Sequence, residues 1–223
     1  MYNVDIGKKI LSANEEFALK NRHFLAEKKK LCLNMISSPG SGKTTILART
    51  VTELKGRLKI GVIEGDIQTE IDAKRIRAAG AVAVQIETGG SCHLSAAQVS
   101  GVLEKFPVDE VDVIIIENVG NLVCPSAFEI GESGKIAVLS VAEGDDKPIK
   151  YPALFAKAKV LLINKTDMLA KGASEDFDIE RVKADAYKLN KDIEIFPVSA
   201  KTGDGMSQWC DWLVNAVEKL KSD

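Results

Sequence analysis

The feature that most constrains this chain is a glycine-rich loop placed between a strand and a helix. Residues 37–45 are Ser-Ser-Pro-Gly-Ser-Gly-Lys-Thr-Thr, directly after the apolar run Leu31 to Ile36 and before a helical pattern that begins near Lys43. Successive N–H groups of such a loop, with the N-terminus of the following helix, bind phosphate. The pattern therefore predicts a nucleotide phosphate site, and the residues expected to line it are Gly40, Ser41, Gly42, Lys43, Thr44 and Thr45.

The chemistry of two loop residues suggests their roles. Lys43 supplies a positive charge to the β and γ oxygens, and Thr44 offers a hydroxyl to Mg²⁺. Ser37 stands where such loops usually begin with glycine, so Gly40 and Gly42 must provide the backbone freedom. An ordinary Gly-Ser turn is the alternative, but the order strand, loop, helix argues against it.

Apolar runs alternate with helical patterns along the rest of the chain. Runs that are apolar on both faces and separated by helices indicate an α/β fold, a mostly parallel sheet with helices on both faces. We expect one P-loop domain over residues 31–223, preceded by a helical appendage at residues 1–30. The seven expected strands are Leu31 to Ile36, Leu58 to Ile63, Ala81 to Ile86, Val111 to Ile116, Ile136 to Ala142, Val160 to Ile163 and Ile193 to Val198.

Helical periodicity marks both ends of the sequence. Between Val4 and Lys30 the apolar residues recur at helical spacing, which predicts a helix that covers a sheet edge or packs against a partner chain. Its expected apolar face consists of Ile6, Ile10, Ala13, Phe17 and Phe24. A second helix, from Met206 to Leu220, is expected to pack on the core through Met206, Trp209, Leu213, Ala216, Val217 and Leu220.

Two further loops predict which base is bound. Asp167, in Asn-Lys-Thr-Asp at residues 164–167, can accept hydrogen bonds from both N1–H and the 2-amino group of guanine, a donor pair that adenine lacks. Asn164 would hold the loop and Lys165 would lie along the base. After the last strand a backbone N–H can reach guanine O6 from Ser199, Ala200 and Lys201. With the phosphate loop, these motifs at the carboxyl ends of strands predict GTP.

Acidic residues at two strand ends are candidates for holding Mg²⁺ or placing the attacking water. Asp66 ends Glu-Gly-Asp at residues 64–66, and Glu117 begins Glu-Asn-Val-Gly at residues 117–120. In the second motif the N–H of Gly120 is expected to contact the γ-phosphate. We expect Lys43, Asp66 and Glu117 to be catalytic. Asp66 reaches the phosphate loop only from a strand parallel to the first, which favours the signal-recognition and division-site (SIMIBI) nucleotidases over Ras-like ones.

A second ion site is suggested by Cys92, His93 and Cys124, all expected on turns. Two thiolates and an imidazole suit Zn²⁺, Ni²⁺ or copper. The alternative is that these residues are unrelated, with buried thiols and a histidine that caps a helix. Cys32 and Cys210 are expected in the core.

Charge and hydropathy argue against several other classes. With 30 basic and 32 acidic residues the net charge is −2, so we expect neither nucleic acid nor a membrane as partner. Acidic residues among the first thirty and the absence of a run of ~20 apolar residues argue against a signal peptide and a membrane span. We therefore expect a cytoplasmic protein whose cysteines are thiols or metal ligands.

Taken together, the motifs resemble the HypB-type nickel-insertion GTPases of nickel-iron hydrogenase maturation. The resemblance rests on Ser-Pro-Gly-Ser-Gly-Lys-Thr at 38–44, Glu-Gly-Asp at 64–66, Cys-His-Leu at 92–94, Glu-Asn-Val-Gly-Asn-Leu-Val-Cys-Pro at 117–125, Glu-Gly-Asp-Asp-Lys-Pro at 143–148 and Asn-Lys-Thr-Asp at 164–167. It implies a Mg²⁺-dependent GTP-hydrolysing metallochaperone that delivers nickel to a hydrogenase precursor.

The same resemblance implies a GTP-dependent homodimer, other maturation proteins as partners, and nickel or zinc bound by Cys92, His93 and Cys124. Many members carry an N-terminal cysteine-rich motif or histidine-rich tract, and residues 1–30 hold neither. Two alternatives remain. One is the related urease-accessory nickel GTPase, and the other is a zinc-bearing protein that uses GTP only as a dimerisation switch.

Overall fold

The computed structural model describes residues 6–66, 71–171 and 177–222, with the side chains of residues 6–12, 66, 170 and 171 excepted. In these ranges seven strands form one sheet in the order β3-β2-β4-β1-β5-β6-β7, and every neighbouring pair is parallel. The expected α/β architecture is confirmed. The strands are β1 Leu31–Ser37, β2 Ile60–Asp66, β3 Val82–Glu87, β4 Val113–Glu117, β5 Gly134–Ser140, β6 Ala158–Asn164 and β7 Glu194–Pro197.

Nine α-helices lie in the part of the chain that the structure describes. They are α1 Ile6–Glu27, α2 Lys43–Glu53, α3 Ile71–Ala79, α4 Ala96–Leu103, α5 Cys124–Ala127, α6 Lys147–Lys150, α7 Pro152–Phe155, α8 Ile179–Leu189 and α9 Met206–Ser222. Short 3-10 turns occupy Val108–Glu110, Val141–Glu143 and Thr166–Lys171. None of the described helices is both long and apolar enough to cross a membrane.

Alternation along β1 shows how the sheet divides the core. Leu33 and Met35 face a cluster that contains side chains of α2, α3 and α9, whereas Cys32 and Ile36 face clusters on the side of α1, α4, α7 and α8. Helices therefore cover both faces. The C-terminal helix packs on α2 as its periodicity predicts, and the buried Trp209 Nε1 donates to Thr50 Oγ1 at 2.9 Å. Cys32 and Cys210 are buried, as expected.

The strand β2 differs from its expected bounds in a way that affects the site. Expected over Leu58 to Ile63, it begins at Ile60 and continues through Asp66. The extension occurs because Glu64, Gly65 and Asp66 pair with residues 85–87 of β3. The acidic residues of this motif thus lie on the strand rather than in a loop after it.

The N-terminal helix exposes part of the face that was expected to be buried. Ala13 is exposed and Phe17 is 40% exposed, whereas Ala18, Asn21 and Leu25 are buried. Two hydrogen bonds explain this orientation. Asn21 Nδ2 donates to the carbonyls of Ala96 and Ile130, at 2.9 and 3.0 Å. These bonds fix the rotation of α1 about its axis where it packs against α4. The expected helix start at Val4 and the side chains of Ile6 and Ile10 lie outside the described residues. The division of the chain at residue 30 stays a prediction.

Candidate nucleotide and metal sites

The phosphate loop has the backbone conformation that its glycines permit. Gly40 and Gly42 have φ of 78° and 95°, in the left-handed region, and α2 begins directly afterwards at Lys43. A Cβ atom at Gly42 would lie 2.6 Å from Asn164 Nδ2. Both the turn and the close approach of the base loop therefore require glycine at this position.

Polar contacts hold the loop in place. The Lys43 ammonium is nearly fully buried and donates to Ser37 Oγ at 2.9 Å, so the serine at the usual glycine position orients the lysine. Burial lowers the pKa of Lys43, although Glu117 and other carboxylates oppose the shift. Ser41 Oγ lies 2.9 Å from the Ser38 carbonyl and 2.5 Å from Glu143 Oε1.

Two buried carboxyl groups stand beside this loop. Glu117, at the end of β4, accepts a hydrogen bond from Thr44 Oγ1 at 3.0 Å, and Glu64 of β2 lies in register with it. Burial raises the pKa of Glu117 in spite of the nearby Lys43 ammonium, and the two carboxyl groups share a hydrogen bond. Glu117 Oε2 is buried without a hydrogen-bond partner among the described atoms. The pair presents oxygen atoms suited to a hard cation.

The phosphate loop, the acidic pair and Gly120 all line the same pocket. A Cβ atom at Gly120 would lie 3.0 Å from Pro39, so the peptide after β4 touches the loop. Residues 39, 40, 42–45, 64, 65, 72, 75 and 117–120 line the pocket. Glu64 and Arg75 are additions that sequence reasoning missed. The side chain of Asp66, expected here, lies outside the described residues, and its role stays a prediction.

A neighbouring pocket contains the predicted base-binding residues. Asn164 Nδ2 donates to the Ser41 carbonyl at 2.9 Å, and Asn164 Oδ1 accepts from the Ala200 N–H at 3.2 Å, so one side chain joins three loops. Asp167 Oδ1 accepts from the Ser199 hydroxyl at 2.8 Å. The pocket is lined by Gly42, Thr45, Arg75, Asn164, Lys165, Asp167, Met168, Ala200 and Lys201.

The two thiols and the imidazole of the predicted metal site also converge. The ligand atoms of Cys92, His93 and Cys124 lie within 4.8 Å of one another, and this is the one histidine, cysteine or acid cluster of its kind in the described ranges. A hydrogen bond to the Cys124 thiol raises the pKa of Cys92, and burial lowers the pKa of His93. The neutral imidazole is the form that binds metal.

Two details of this cluster differ from the sequence expectation. Cys124 is the first residue of the short helix α5 rather than part of a turn, because Pro125 favours a helix start. The His93 ring stacks on Phe128, with centroids 4.2 Å apart. No local motif marks Phe128, since its contact with His93 arises only from the fold.

The fold and these pockets define a class of protein. A parallel sheet with a phosphate loop after β1, acidic residues at the ends of β2 and β4, and Asn-Lys-Thr-Asp after β6 is a P-loop nucleotide-binding protein of the signal-recognition and division-site type. A family profile described as CobW/HypB/UreG, nucleotide-binding domain, matches residues 32–197. The chain belongs to this family, among the HypB-type hydrogenase maturation factors.

Individual relatives support this assignment. The hydrogenase maturation factor HypB of Escherichia coli K12 is 49% identical over 204 residues, which cover 92% of this chain and 69% of that protein. The structure of Helicobacter pylori HypB in complex with nickel has a TM-score of 0.85 at 38% identity and covers 93% of this chain and 96% of that one. The signal recognition particle receptor FtsY of Elizabethkingia anophelis has a TM-score of 0.56 at 15% identity, over 90% of this chain and 72% of that one, a likeness of fold alone.

Proposed function

We propose that this protein is a GTP-hydrolysing metallochaperone that controls delivery of nickel to a hydrogenase precursor in the cytoplasm. The observation that carries the proposal is the segment from Glu117 to Cys124. Its first residue and Gly120 line the phosphate pocket, and its last residue belongs to the thiol and imidazole cluster. A nucleotide that contacts Gly120 therefore acts four residues from a metal ligand.

The phosphate pocket suits GTP hydrolysis with Mg²⁺. The Lys43 ammonium and the loop N–H groups bind the phosphate oxygens, and Gly120 contacts the γ-phosphate. The Thr44 hydroxyl and the Glu117 carboxylate fit Mg²⁺, because Glu117 Oε2 is a buried oxygen without a hydrogen-bond partner among the described atoms. A Mg²⁺ ion held by these groups would neutralise charge on the phosphates. Glu64 and Asp66 are the proposed acids that complete this environment and place the attacking water.

The base pocket favours guanine. Asp167 accepts from N1–H and the 2-amino group, and the N–H groups of the loop at residues 199–201 donate to O6. The bond from Ser199 to Asp167 keeps the carboxylate aimed into this pocket. Lys165 lines this pocket and its Nζ donates to the Gly40 carbonyl at 2.7 Å, and we expect its aliphatic stem to lie along the base.

The thiol and imidazole cluster is suited to binding a metal ion as cargo. Cys92, His93 and Cys124 supply three ligands from one chain, and a tetrahedral or square-planar ion needs a fourth from water or a second subunit. A GTP-dependent homodimer, in which a second copy completes the coordination, is part of the proposal, with other maturation proteins as partners. Nickel is favoured over zinc because the H. pylori relative was crystallised with nickel.

Competition binding tests the proposal directly. GTP, ATP and XTP compete for the protein with Mg²⁺ present, and Ni²⁺ is titrated into wild type, Cys92→Ala and Cys124→Ala. We expect GTP to displace ATP and both cysteine variants to lose Ni²⁺ affinity. Equal affinity for ATP and GTP, or full Ni²⁺ binding by both variants, would contradict the proposed function.

A further inference from the structure

One buried side chain touches both functional loops. Asn118 directly follows Glu117 and is 1% exposed. Its Oδ1 accepts the backbone N–H of Leu94 at 3.0 Å and that of Val119, also at 3.0 Å. Leu94 follows the metal ligand His93, and Val119 precedes Gly120. A single amide oxygen thus joins the loop that carries Cys92 and His93 to the peptide that lies against the phosphate loop.

The orientation of this amide is fixed from the interior. Asn118 Nδ2 donates to Asn34 Oδ1 at 3.1 Å, and Asn34 Nδ2 donates to Glu132 Oε1 at 3.2 Å. Glu132 is paired with the buried Lys135. Burial alone would raise the pKa of Glu132, but the Lys135 ammonium holds it below its ordinary value, so the group is a carboxylate.

A carboxylate only accepts hydrogen bonds, so Asn34 must turn its nitrogen toward Glu132 and its oxygen toward Asn118. Asn118 must then donate with its nitrogen and present its oxygen to the two loops. The ion pair in the core therefore determines which atom of Asn118 faces the functional loops.

A second asparagine repeats the connection nearer the surface. Asn121 Nδ2 donates to the Cys92 carbonyl at 3.3 Å, and Asn121 Oδ1 accepts the N–H of Val123 at 2.9 Å. It therefore connects the peptide of one metal ligand to the residue before the other, Cys124. The two asparagines hold the loop at residues 92–94 from its two ends.

We propose that Asn118 and Asn121 are positioning residues that make both metal-bearing loops follow the nucleotide state. The inference rests on the proposed function and extends it. A displacement of Gly120 by the γ-phosphate moves Cys124 through the covalent chain, but Cys92 and His93 lie on a separate segment. Hydrogen bonds from the two asparagine side chains transmit the movement to that segment and change the spacing of all three ligands together.

The test measures a ratio rather than an affinity. Ni²⁺ alone is titrated against a chromophoric chelator into protein bound to GDP or to a slowly hydrolysed GTP analogue, and the coupling ratio is the quotient of the two affinities. The variants are Asn118→Ala, Asn121→Ala and the double variant. Asn190→Ala is the matched control, since Asn190 also donates to a carbonyl and accepts an N–H, at the remote end of α8.

A merely structural role would change both affinities equally and leave the ratio unchanged. We expect wild type and Asn190→Ala to share a ratio of about fivefold or more, in the range typical of allosteric coupling. Each single variant lowers the ratio, and the double variant brings it close to one, whatever change the variants cause in either affinity alone. If Asn118→Ala does not fold, the partly exposed Asn121 supplies the test through its own variant.

Two failures are distinguishable. Wild type that binds no Ni²⁺ or no GTP contradicts the proposed function itself. Wild type that binds both with a ratio of one contradicts the proposed function as well. Single variants that keep a wild-type ratio above one overturn the role of the asparagines and leave the proposed function intact.

Discussion

At the scale of single residues, the phosphate pocket brings buried acidic groups and a buried lysine together. Glu117 shares a hydrogen bond with Glu64, and the Lys43 ammonium donates to Ser37 Oγ. Burial raises the pKa of Glu117 and lowers that of Lys43, so both shifts favour the neutral forms. Such opposed shifts in one cleft are typical of sites that bind charged ligands.

Glu117→Gln tests the acid at the end of β4. The substitution keeps the side-chain volume and the hydrogen bond from Thr44 but removes the negative charge. We expect affinity for Mg²⁺ with GTP, or turnover, to fall by about 10-fold to 100-fold, as for other groups that support a metal ion. The apo protein should remain folded. Mg²⁺ titration of single-turnover hydrolysis is the measurement, with the exposed Glu194→Gln as control, and an unchanged Mg²⁺ dependence would remove Glu117 from the mechanism.

Asp167→Asn tests base choice. The carboxamide can donate where the carboxylate only accepts, so affinity should move from GTP toward XTP, whose base carries a carbonyl in place of the 2-amino group. Losing one hydrogen bond from the neutral base to the charged carboxylate should weaken GTP binding by at least about tenfold. Competition between GTP and XTP measures the change. Retained preference for GTP in the variant would show that Asp167 does not contact the base.

The sequence predicts the site residues that belong to local motifs better than those whose role depends on tertiary contacts. The phosphate loop and Asn-Lys-Thr-Asp follow from short segments whose chemistry is self-contained. Glu64 was missed because its role depends on β2 extending to Asp66, which pairing with β3 determines. Phe128 was missed because only the fold brings it onto His93.

At the scale of elements, polar residues determine the orientation of helices when the apolar pattern alone does not. The rotation of α1 is fixed by Asn21, so part of the predicted apolar face, at Ala13 and Phe17, is exposed. The central strands β1, β4 and β6 were predicted more closely, because runs buried on both faces favour a central position in the sheet. At the other end of the chain, α9 is tied to the sheet by Asp112, which accepts from the Lys59 N–H and from Lys221 Nζ.

Asp112→Asn should destabilise the protein in a pH-dependent manner. Burial of the carboxyl raises its pKa, but hydrogen bonds from Lys221 and Lys59 outweigh this and hold the pKa below its ordinary value. Because the folded-state pKa is depressed, the stabilisation is present above about pH 4 and is lost as the pH falls through the folded value. We expect a loss of about 1 kcal/mol at pH 7.

Urea unfolding at several pH values measures this effect, with the exposed Asp192→Asn as a charge-matched control. The difference between wild type and Asp112→Asn should shrink between pH 5 and pH 3. A difference that stays constant over this range would show that the ionised carboxylate does not stabilise the fold.

At the scale of the whole molecule, one short segment of the chain connects the phosphate pocket to the predicted metal site. The peptide from Glu117 to Cys124 begins in the phosphate pocket and ends at the thiol and imidazole cluster. This junction was predictable from spacing, because Cys124 lies only four residues after Gly120 in the sequence. The sequence also predicted that Cys92, His93 and Cys124 share one site, but not the hydrogen bonds across the fold that hold the loop at residues 92–94 there.

The measurement that tests the central claim most directly is the release of nickel during GTP hydrolysis. Protein loaded with Ni²⁺ and Mg²⁺ receives either GTP or a slowly hydrolysed analogue, while a chromophoric chelator captures released nickel and phosphate is followed in parallel. On the proposed mechanism, hydrolysis would remove the γ-phosphate from Gly120 and alter the position of Cys124, so nickel release should follow phosphate release. It should be at least about fivefold slower with the analogue. Equal rates of nickel release with GTP and analogue would contradict control of the metal site by hydrolysis.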